Sequence, residues 1–322
     1  MSARSYKYVY GPVPSRRLGR SLGIDLVPYK ICTYDCVYCQ LGRTTNRTVE
    51  QTTFGSTGEI LDEIERKLAS DPSPPDYIGI SGSGEPTLNS DIGEIIEGIK
   101  RITSVPVAVL TNGSLLWMAK VQDALMASDL VLPSLDAGNA RLFEYVNRPH
   151  PLLSFEEMVE GLVSFTKRYP GEVWLEVLLL GGVTGIPSEV KKIAALARRI
   201  GPARIQLNTV CRPPAEQFAL SLSQSEMLAL KPLFVGEVDV ISHTDRQQVA
   251  TQDAAEARNV DILALLRRRP CTAKDVADGL GVHVNEVLKQ LDVLVKAGKV
   301  TTTVVGRSVF YAVRESMNGL RA

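Results

Sequence analysis

Three cysteines fall within eight residues near the start of the chain: Cys32, Cys36 and Cys39, in the run Lys-Ile-Cys-Thr-Tyr-Asp-Cys-Val-Tyr-Cys-Gln. A tight bend with this spacing aims three thiolates at one point, and clustered thiolates select zinc or an iron–sulfur cluster. Three ligands are one short of a closed structural zinc site. A [4Fe–4S] cube held by three cysteines leaves one iron open to another molecule, so the motif points to redox chemistry at an open iron. The competing reading is three unligated thiols, and free cysteines rarely crowd so closely.

The other sulfur and imidazole ligands are dispersed. Cys211 and Cys271 are far apart and fall on either side of an expected domain boundary, which argues against a second cluster. His150, His243 and His283 form no metal-ligand spacing. The odd number of cysteines does not describe a secreted disulfide framework.

The elements that must position the cysteines alternate in period. A short apolar strand, Leu22 to Val27, precedes the cysteine loop. Helical stretches at about 59–70, 91–101, 115–127, 154–168 and 188–200 then alternate with apolar strands at 77–81, 105–110, 130–133, 173–180 and 204–208. This pattern predicts a parallel α/β architecture. Six strands are too few for the closed eight-stranded barrel, so the expectation is a partial (β/α)6 barrel, with 238–242 as one more edge strand.

In such folds ligands gather at the carboxyl ends of the strands, and the polar signals lie there. Strand one runs into the cysteines, strand two into Ser81-Gly82-Ser83-Gly84-Glu85-Pro86, strand three into Thr111-Asn112-Gly113, strand four into Ser134-Leu135-Asp136, and strand six into Asn208-Thr209. Each has an ordinary reading too. Gly82 and Gly84 can serve a positive φ, Asn-Gly is a common turn pair, and Asp136 suits a helix N-terminus. Glu176 stands alone among the apolar residues of the fifth strand, and an interior carboxylate is costly unless paired. Arg16, Arg17 and Arg20, just before the first strand, are either a basic surface cluster or contacts to an anionic ligand.

These residues resemble the radical S-adenosylmethionine (SAM) superfamily. Cys32-x3-Cys36-x2-Cys39 with Tyr38 matches its cysteine signature, and Gly82-Ser83-Gly84-Glu85-Pro86 is similar to its Gly-Gly-Glu-Pro motif, with Ser83 where glycine is usual. The opening Tyr10-Gly11-Pro12-Val13-Pro14-Ser15-Arg16-Arg17-Leu18-Gly19, the run Ser134-Leu135-Asp136-Ala137 and the segment from Asn208 to Glu216 resemble the wybutosine-synthesis-like branch. The resemblance spans about residues 7 to 245. It implies one [4Fe–4S] cluster on Cys32, Cys36 and Cys39, whose open iron chelates SAM. One electron, from a donor such as flavodoxin or ferredoxin, then cleaves SAM to methionine and a 5′-deoxyadenosyl radical, which abstracts hydrogen from a substrate. By the same resemblance Gly82, Ser83, Gly84 and Glu85 sit at the methionine amino end. Thr111, Asn112, Ser134 and Asp136 line the ribose or carboxylate, Tyr38 and Asn208 lie by the adenine, and Glu176 contacts SAM or substrate.

The tail differs. Residues 1–245 are expected to form the barrel, 246–257 a polar Ala/Gln-rich linker, and 258–322 a second domain. Helical patterns at 260–268, 272–280 and 283–297 precede two alternating runs, 300–305 and 308–313, around Gly306-Arg307, a hairpin signal. Three helices followed by a hairpin resemble the winged helix-turn-helix. Residues 256–322 carry 11 Lys/Arg and 7 Asp/Glu, against 25 and 29 in the rest. Acids interrupt the bases along the third helix, so a protein or substrate partner is as well supported as a nucleic acid.

Composition sets the outer limits. With 44% hydrophobic residues and zero formal net charge over 322 residues, the chain can bury a full core and has no global field that marks a polyanion binder. It contains no apolar run of about 18 residues and no apolar signal core, which suggests a soluble protein of the reducing cytoplasm. Three functions compete: a radical SAM enzyme acting on an unidentified, macromolecular or small substrate; a DNA-binding redox regulator built on the cluster; and a structural zinc protein. Cleavage of a different carbon–sulfur bond of SAM remains open within the first. Gly-Glu-Pro and Asn-Gly at the strand ends favour the enzyme, because neither a sensor nor a zinc fold needs them.

Overall fold

The structure, a computed structural model, describes residues 6–15, 17–71, 73–241, 259–280, 284–306 and 308–314. The expected linker 246–257, together with Arg16, His243, His283 and Arg307, lies outside the described residues.

One eight-stranded sheet carries the first 240 residues. Its strands follow chain order: β1 Val9–Ser15, β2 Gly19–Ile24, β3 Tyr77–Ile80, β4 Val107–Thr111, β5 Leu130–Pro133, β6 Glu172–Leu179, β7 Arg204–Thr209 and β8 Val238–Val240. All neighbours pair in parallel except β1, which turns back antiparallel on β2. The parallel α/β expectation is therefore met, with β8 on one edge as expected and with β1 added on the other. Helices α1 Thr57–Ser70, α2 Ile92–Ile102, α3 Ala119–Leu125, α4 Ala140–Asn147, α5 Phe155–Arg168, α6 Pro187–Ile200 and α7 Gln224–Leu230 lie between the strands.

Alternation along the strands separates two environments. One row, including Leu22, Ile24, Ile78, Ile80, Val107, Val109, Val131, Leu175, Val177, Ile205 and Leu207, is buried with the apolar faces of the helices, such as Ile60 and Ile64 of α1 and Ile92, Ile95, Ile96 and Ile99 of α2. The other row faces the barrel interior. At the amino end of the strands it is apolar, where Leu18, Ala108, Leu130 and Leu132 pack with Tyr77, Leu110 and Trp174. Above that floor it turns polar, with Ser134, Glu176, Gln206 and Asn208.

The tail has its own core. Helices α8 Asn259–Arg268, α9 Ala273–Leu280 and α10 Val284–Lys296 precede the hairpin β9 Val300–Val305 and β10 Ser308–Val313, the expected winged order. Ile262, Leu266, Val276, Val287, Leu291, Leu294 and Val300 bury one another, and Cys271 lies among them. This domain is seated on the barrel. Val13 of β1 packs into the tail's core, and α9 lies against β1. The Arg268 guanidinium pairs with Asp25 at 2.8 Å and stacks 4.2 Å from the ring centre of Tyr10. Among the described residues no helix is long and apolar enough to cross a membrane.

Candidate active site

The cysteine loop follows β2 and is held from three sides. Gly84 has no room for a side chain, because a Cβ there would collide with the carbonyl oxygen of Ile31. The Glu85 N–H donates to that same carbonyl at 3.1 Å, and the Lys30 N–H donates to the Ser83 carbonyl at 2.7 Å. The Gly-Ser-Gly-Glu turn after β3 is thus docked on the backbone that leads into Cys32. Gly82, at φ +151°, leaves its Cβ position to the Asp25 carboxylate. Asp25 accepts from the Ser83 N–H at 3.0 Å and the Ser83 hydroxyl at 2.6 Å. Ser83, where the superfamily motif has glycine, therefore ties this turn to Asp25, and through Asp25 to Arg268 of the tail.

Glu85 is buried and its oxygens are occupied. One accepts from the Thr87 N–H at 3.1 Å, the Thr87 hydroxyl at 2.7 Å and the Thr111 hydroxyl at 2.5 Å; the other accepts from the Asn112 N–H at 2.7 Å. Burial raises its pKa, against hydrogen bonds that favour the charged form. The carboxylate joins the end of β3 to the end of β4 and leaves little accepting capacity for a ligand. Asn112 continues the chain of contacts: its amide donates to the Thr33 hydroxyl at 2.7 Å and approaches Cys32 Sγ at 3.6 Å.

Two further donors reach the sulfurs. The Lys30 ammonium lies 3.2 Å from Cys39 Sγ, and Asn147 Nδ2 lies 3.5 Å from Cys36 Sγ. Burial works against the Lys30 charge, but the neighbouring cysteines, Cys39 first, hold its pKa above the ordinary value. Burial pushes the Cys32 thiol up to about 12 and raises Cys36 as well. Without a metal these thiols stay protonated; a coordinated cation deprotonates a thiol outright. Among the described residues, no three His, Cys, Asp or Glu side chains are disposed around a single metal ion. Three half-buried cysteines on one loop, served by Asn112, Asn147 and Lys30 as N–H···S donors, fit a multi-iron cluster, whose ligands stand farther apart and whose sulfurs take such bonds.

Asn147 also binds the second group of sequence-selected residues. Its amide donates to Asp136 at 2.9 Å, and Asp136 accepts from the Tyr38 hydroxyl and from the Leu178 N–H at 3.1 Å. Burial lifts the Asp136 pKa to about 6 despite these bonds, with the Tyr38 bond foremost among the opposing effects. The Tyr38 side chain is thereby turned toward β5. A third group fills the interior. Arg17 pairs with Glu176, and Asn208 donates to the same Glu176 oxygen at 2.8 Å. Ser134 is bridged to Glu176 through the backbone. Arg20 points elsewhere and pairs with Asp71.

The structure thus draws Cys32, Ser83, Gly84, Glu85, Thr111 and Asn112 into one network and Tyr38 and Asp136 into a second, joined through Asn147 and Cys36. Glu176 and Asn208 lie deeper in the barrel. Sequence reasoning missed Asp25, Lys30, Thr33 and Asn147. Of these Lys30 carried a signal, as a lysine two residues before the first cysteine. Asn147 ends an unremarkable helix and carried none. Among the described residues, four buried side-chain polar atoms have no hydrogen-bond partner: Arg17 Nε, the Tyr34 hydroxyl, Gln206 Oε1 and Arg212 Nε.

Residues 26–199 match the radical SAM superfamily, and residues 259–302 match a helix-turn-helix domain. A UPF0026 protein of Helicobacter pylori J99 is 34% identical over 97% of this chain and 99% of its own length. A UPF0026 protein of Methanocaldococcus jannaschii is 37% identical over 65% of each chain. A Brachyspira hyodysenteriae protein named GTPase Obg is 39% identical over 95% of this chain, which spans 45% of that relative. Among solved structures, a radical SAM methyltransferase from Sphaerobacter thermophilus superposes with TM-score 0.50 at 18% identity, covering 68% of this chain and 65% of that one. At that identity the likeness concerns the fold.

Proposed function

We propose a function from one premise: the chain belongs to the radical SAM superfamily and, within it, to the UPF0026 family, with a helix-turn-helix domain in its C-terminal part. It is an enzyme of that superfamily, and the superfamily implies a [4Fe–4S] cluster and SAM. In our reading Cys32, Cys36 and Cys39 hold the cluster. SAM lies over the strand ends, against the backbone of residues 82–85 and the Thr111–Asn112 turn, with Tyr38, Ser134, Asp136, Glu176 and Asn208 around it. When bound, the cluster supplies the electron that splits SAM into methionine and a 5′-deoxyadenosyl radical, with flavodoxin or ferredoxin as the class of donor.

This chain's residues do the positioning. Lys30 offsets negative charge at the sulfurs, and Asn112 and Asn147 orient Cys32 and Cys36. Glu85 sets the spacing of two strand ends, and the floor of Leu18, Leu110, Leu132 and Trp174 closes the far end of the barrel. The observation that carries the reading is the docking of the Gly-Ser-Gly-Glu turn on the cysteine loop, with Asn112 within reach of Cys32. It joins three separate strand ends into a single site. The GTPase name of the Brachyspira relative is that protein's own; the present chain contains no Gly-Lys-Ser or Gly-Lys-Thr run of a phosphate-binding loop.

The substrate would meet the barrel mouth beside the winged-helix domain, whose Arg268 pairs with Asp25, the acceptor of Ser83 in the turn after β3. A nucleic-acid substrate is favoured by the helix-turn-helix match. The test is anaerobic reconstitution of the full chain with iron and sulfide, reduction by dithionite, and chromatography of the products from SAM. 5′-Deoxyadenosine in amounts dependent on reductant supports the reading. A different cleavage product, with no 5′-deoxyadenosine, places the broken bond elsewhere in SAM. Intact SAM in the presence of a full reduced cluster favours the regulator.

A further inference from the structure

One guanidinium of the tail reaches the turn after β3 by two routes. Arg268 ends α8, and its Nη1 donates to Asp25 Oδ2 at 2.8 Å. The same oxygen accepts from the Ser83 hydroxyl at 2.6 Å, and Asp25 Oδ1 accepts from the Ser83 N–H at 3.0 Å. By the second route the Arg268 guanidinium stands over the ring of Tyr10, whose hydroxyl lies 3.0 Å from Ser81 Oγ. Tyr10 can lie there because Gly23, its partner across β1 and β2, carries no Cβ; one would fall 2.1 Å from the ring's Cζ. The two routes end on Ser81 and Ser83, on either side of Gly82.

Both routes depend on the charge at their head. The side chains of Asp25 and Arg268 are only 11% and 19% exposed. Taking the guanidinium away leaves the Asp25 carboxylate a largely buried charge without its counter-ion, an unfavourable state. Rotation toward water relieves it. The Ser83 N–H and hydroxyl then lose their acceptor, and the space beside Gly82 that Asp25 Oδ1 fills is vacated. Tyr10 loses the cation over its face as well. The turn so released is the one whose Gly84 and Glu85 are docked on the Ile31 carbonyl, next to Cys32.

We propose that Arg268 is a positioning residue for the turn 81–85, so that the seating of the winged-helix domain on the barrel and the binding of SAM to that turn form one coupled equilibrium. The coupling to SAM rests on the functional reading, which places SAM against residues 82–85; the hold of Arg268 on the turn does not. Coupling between two sites is reciprocal. A partner that draws the winged-helix domain off β1 lowers the affinity for SAM, and SAM in turn secures the domain on β1.

The test follows amide hydrogen exchange of residues 81–85 in the full chain without SAM, and SAM affinity by equilibrium dialysis after reconstitution of the cluster. Arg268→Gln should speed exchange of that segment and weaken SAM, each at least about fivefold, the lower end of usual couplings. Exposed Arg101→Gln should change neither. Ser83→Ala removes the hydroxyl from the first route and leaves the Arg268–Asp25 pair in place. The double variant should then weaken SAM by clearly less than the product of the two single effects, because both act through Asp25. A full product overturns the route. One measurement needs no variant to fold: in the parent, saturating SAM should slow exchange in α8. SAM that binds without slowing it overturns the coupling. Parental exchange of residues 81–85 in Arg268→Gln overturns the positioning role. Faster exchange there with parental SAM affinity keeps Arg268 as the holder of the turn and counts against the functional reading, since SAM then lies elsewhere.

Discussion

Replacing Glu85 by glutamine asks whether this buried carboxylate braces the protein or binds SAM. In the structure it takes four hydrogen bonds from Thr87, Thr111 and Asn112. An amide has a single oxygen. If that oxygen stays with Thr87 and Thr111, the new NH2 faces the Asn112 N–H, donor against donor. The loss is one charge-assisted bond, about 1.5–3 kcal/mol, together with a buried N–H left without acceptor. Glu85→Gln should therefore cost about 2–4 kcal/mol. At about 2–4 °C per kcal/mol for a domain of this size, the melting temperature should fall by about 4–16 °C. Scanning calorimetry of the chain without SAM measures it, and the fall should come with poorer retention of iron, because Asn112 moves away from Cys32. An unchanged melting temperature with SAM affinity at least about tenfold weaker would show that the carboxylate contacts SAM and that its internal bonds are incidental.

Alanine at Cys32, Cys36 or Cys39 should abolish the brown chromophore or leave an unstable remnant, while Cys211→Ser and Cys271→Ser should leave iron content unchanged; iron lost with Cys211 refutes the three-ligand assignment. Asn147→Ala removes the amide between Cys36 and Asp136 and should speed bleaching of the reduced cluster in air, followed at visible wavelengths, with a parental bleaching rate excluding that role. Arg268→Ala removes a half-buried ion pair and a cation–π contact, worth about 1–3 kcal/mol together. It should free the tail to limited proteolysis and lower SAM affinity through Asp25 and Ser83; a parental digestion pattern contradicts it. If the tail binds nucleic acid, affinity should fall steeply with salt, and changing Lys289 and Arg307 together should flatten that slope. An absence of binding at low salt leaves the tail as a docking wall.

How far the molecule was legible depended on whether a signal was local. The apolar runs of β2 to β8 stand out because both faces of a parallel sheet must be covered, and the carboxyl ends carry the polar residues as the fold class requires. β1 was missed, since Tyr-Gly-Pro-Val-Pro-Ser has the composition of a turn. Prolines are tolerated there because β1 is an edge strand with one partner. The helix expected over 115–127 shortens to Ala119–Leu125 because residues 113–118 form turns, in which the Leu116 N–H bonds to the Gly113 carbonyl and the Met118 N–H to that of Leu115. α4 was missed because eight residues give little periodicity to detect. Within the site, cysteine spacing and glycine-rich turns were visible, being constraints on neighbouring residues. The Asn147–Cys36, Asp25–Arg268 and Arg17–Glu176 contacts join residues more than 100 apart in sequence, and no local pattern announces them.

The seat of the winged helix on β1 has a consequence for synthesis. Val13 is made well before the core that covers it, which is complete only once β10 has emerged. At about 5–20 residues per second, the roughly 250 residues between Val13 and Ile262 take on the order of ten to fifty seconds to translate. The cysteine loop and the Gly-Ser-Gly-Glu turn docked on it are made well before then, while Tyr10 and Asp25 still lack Arg268. A nascent chain paused in this interval lacks the Arg268 contact to Asp25, the carboxylate that accepts from Ser83 beside the cysteine loop. It also presents β1 as an exposed strand edge, open to pairing with another chain. Escape from such pairing is thus tied to the pace at which the winged-helix domain is made.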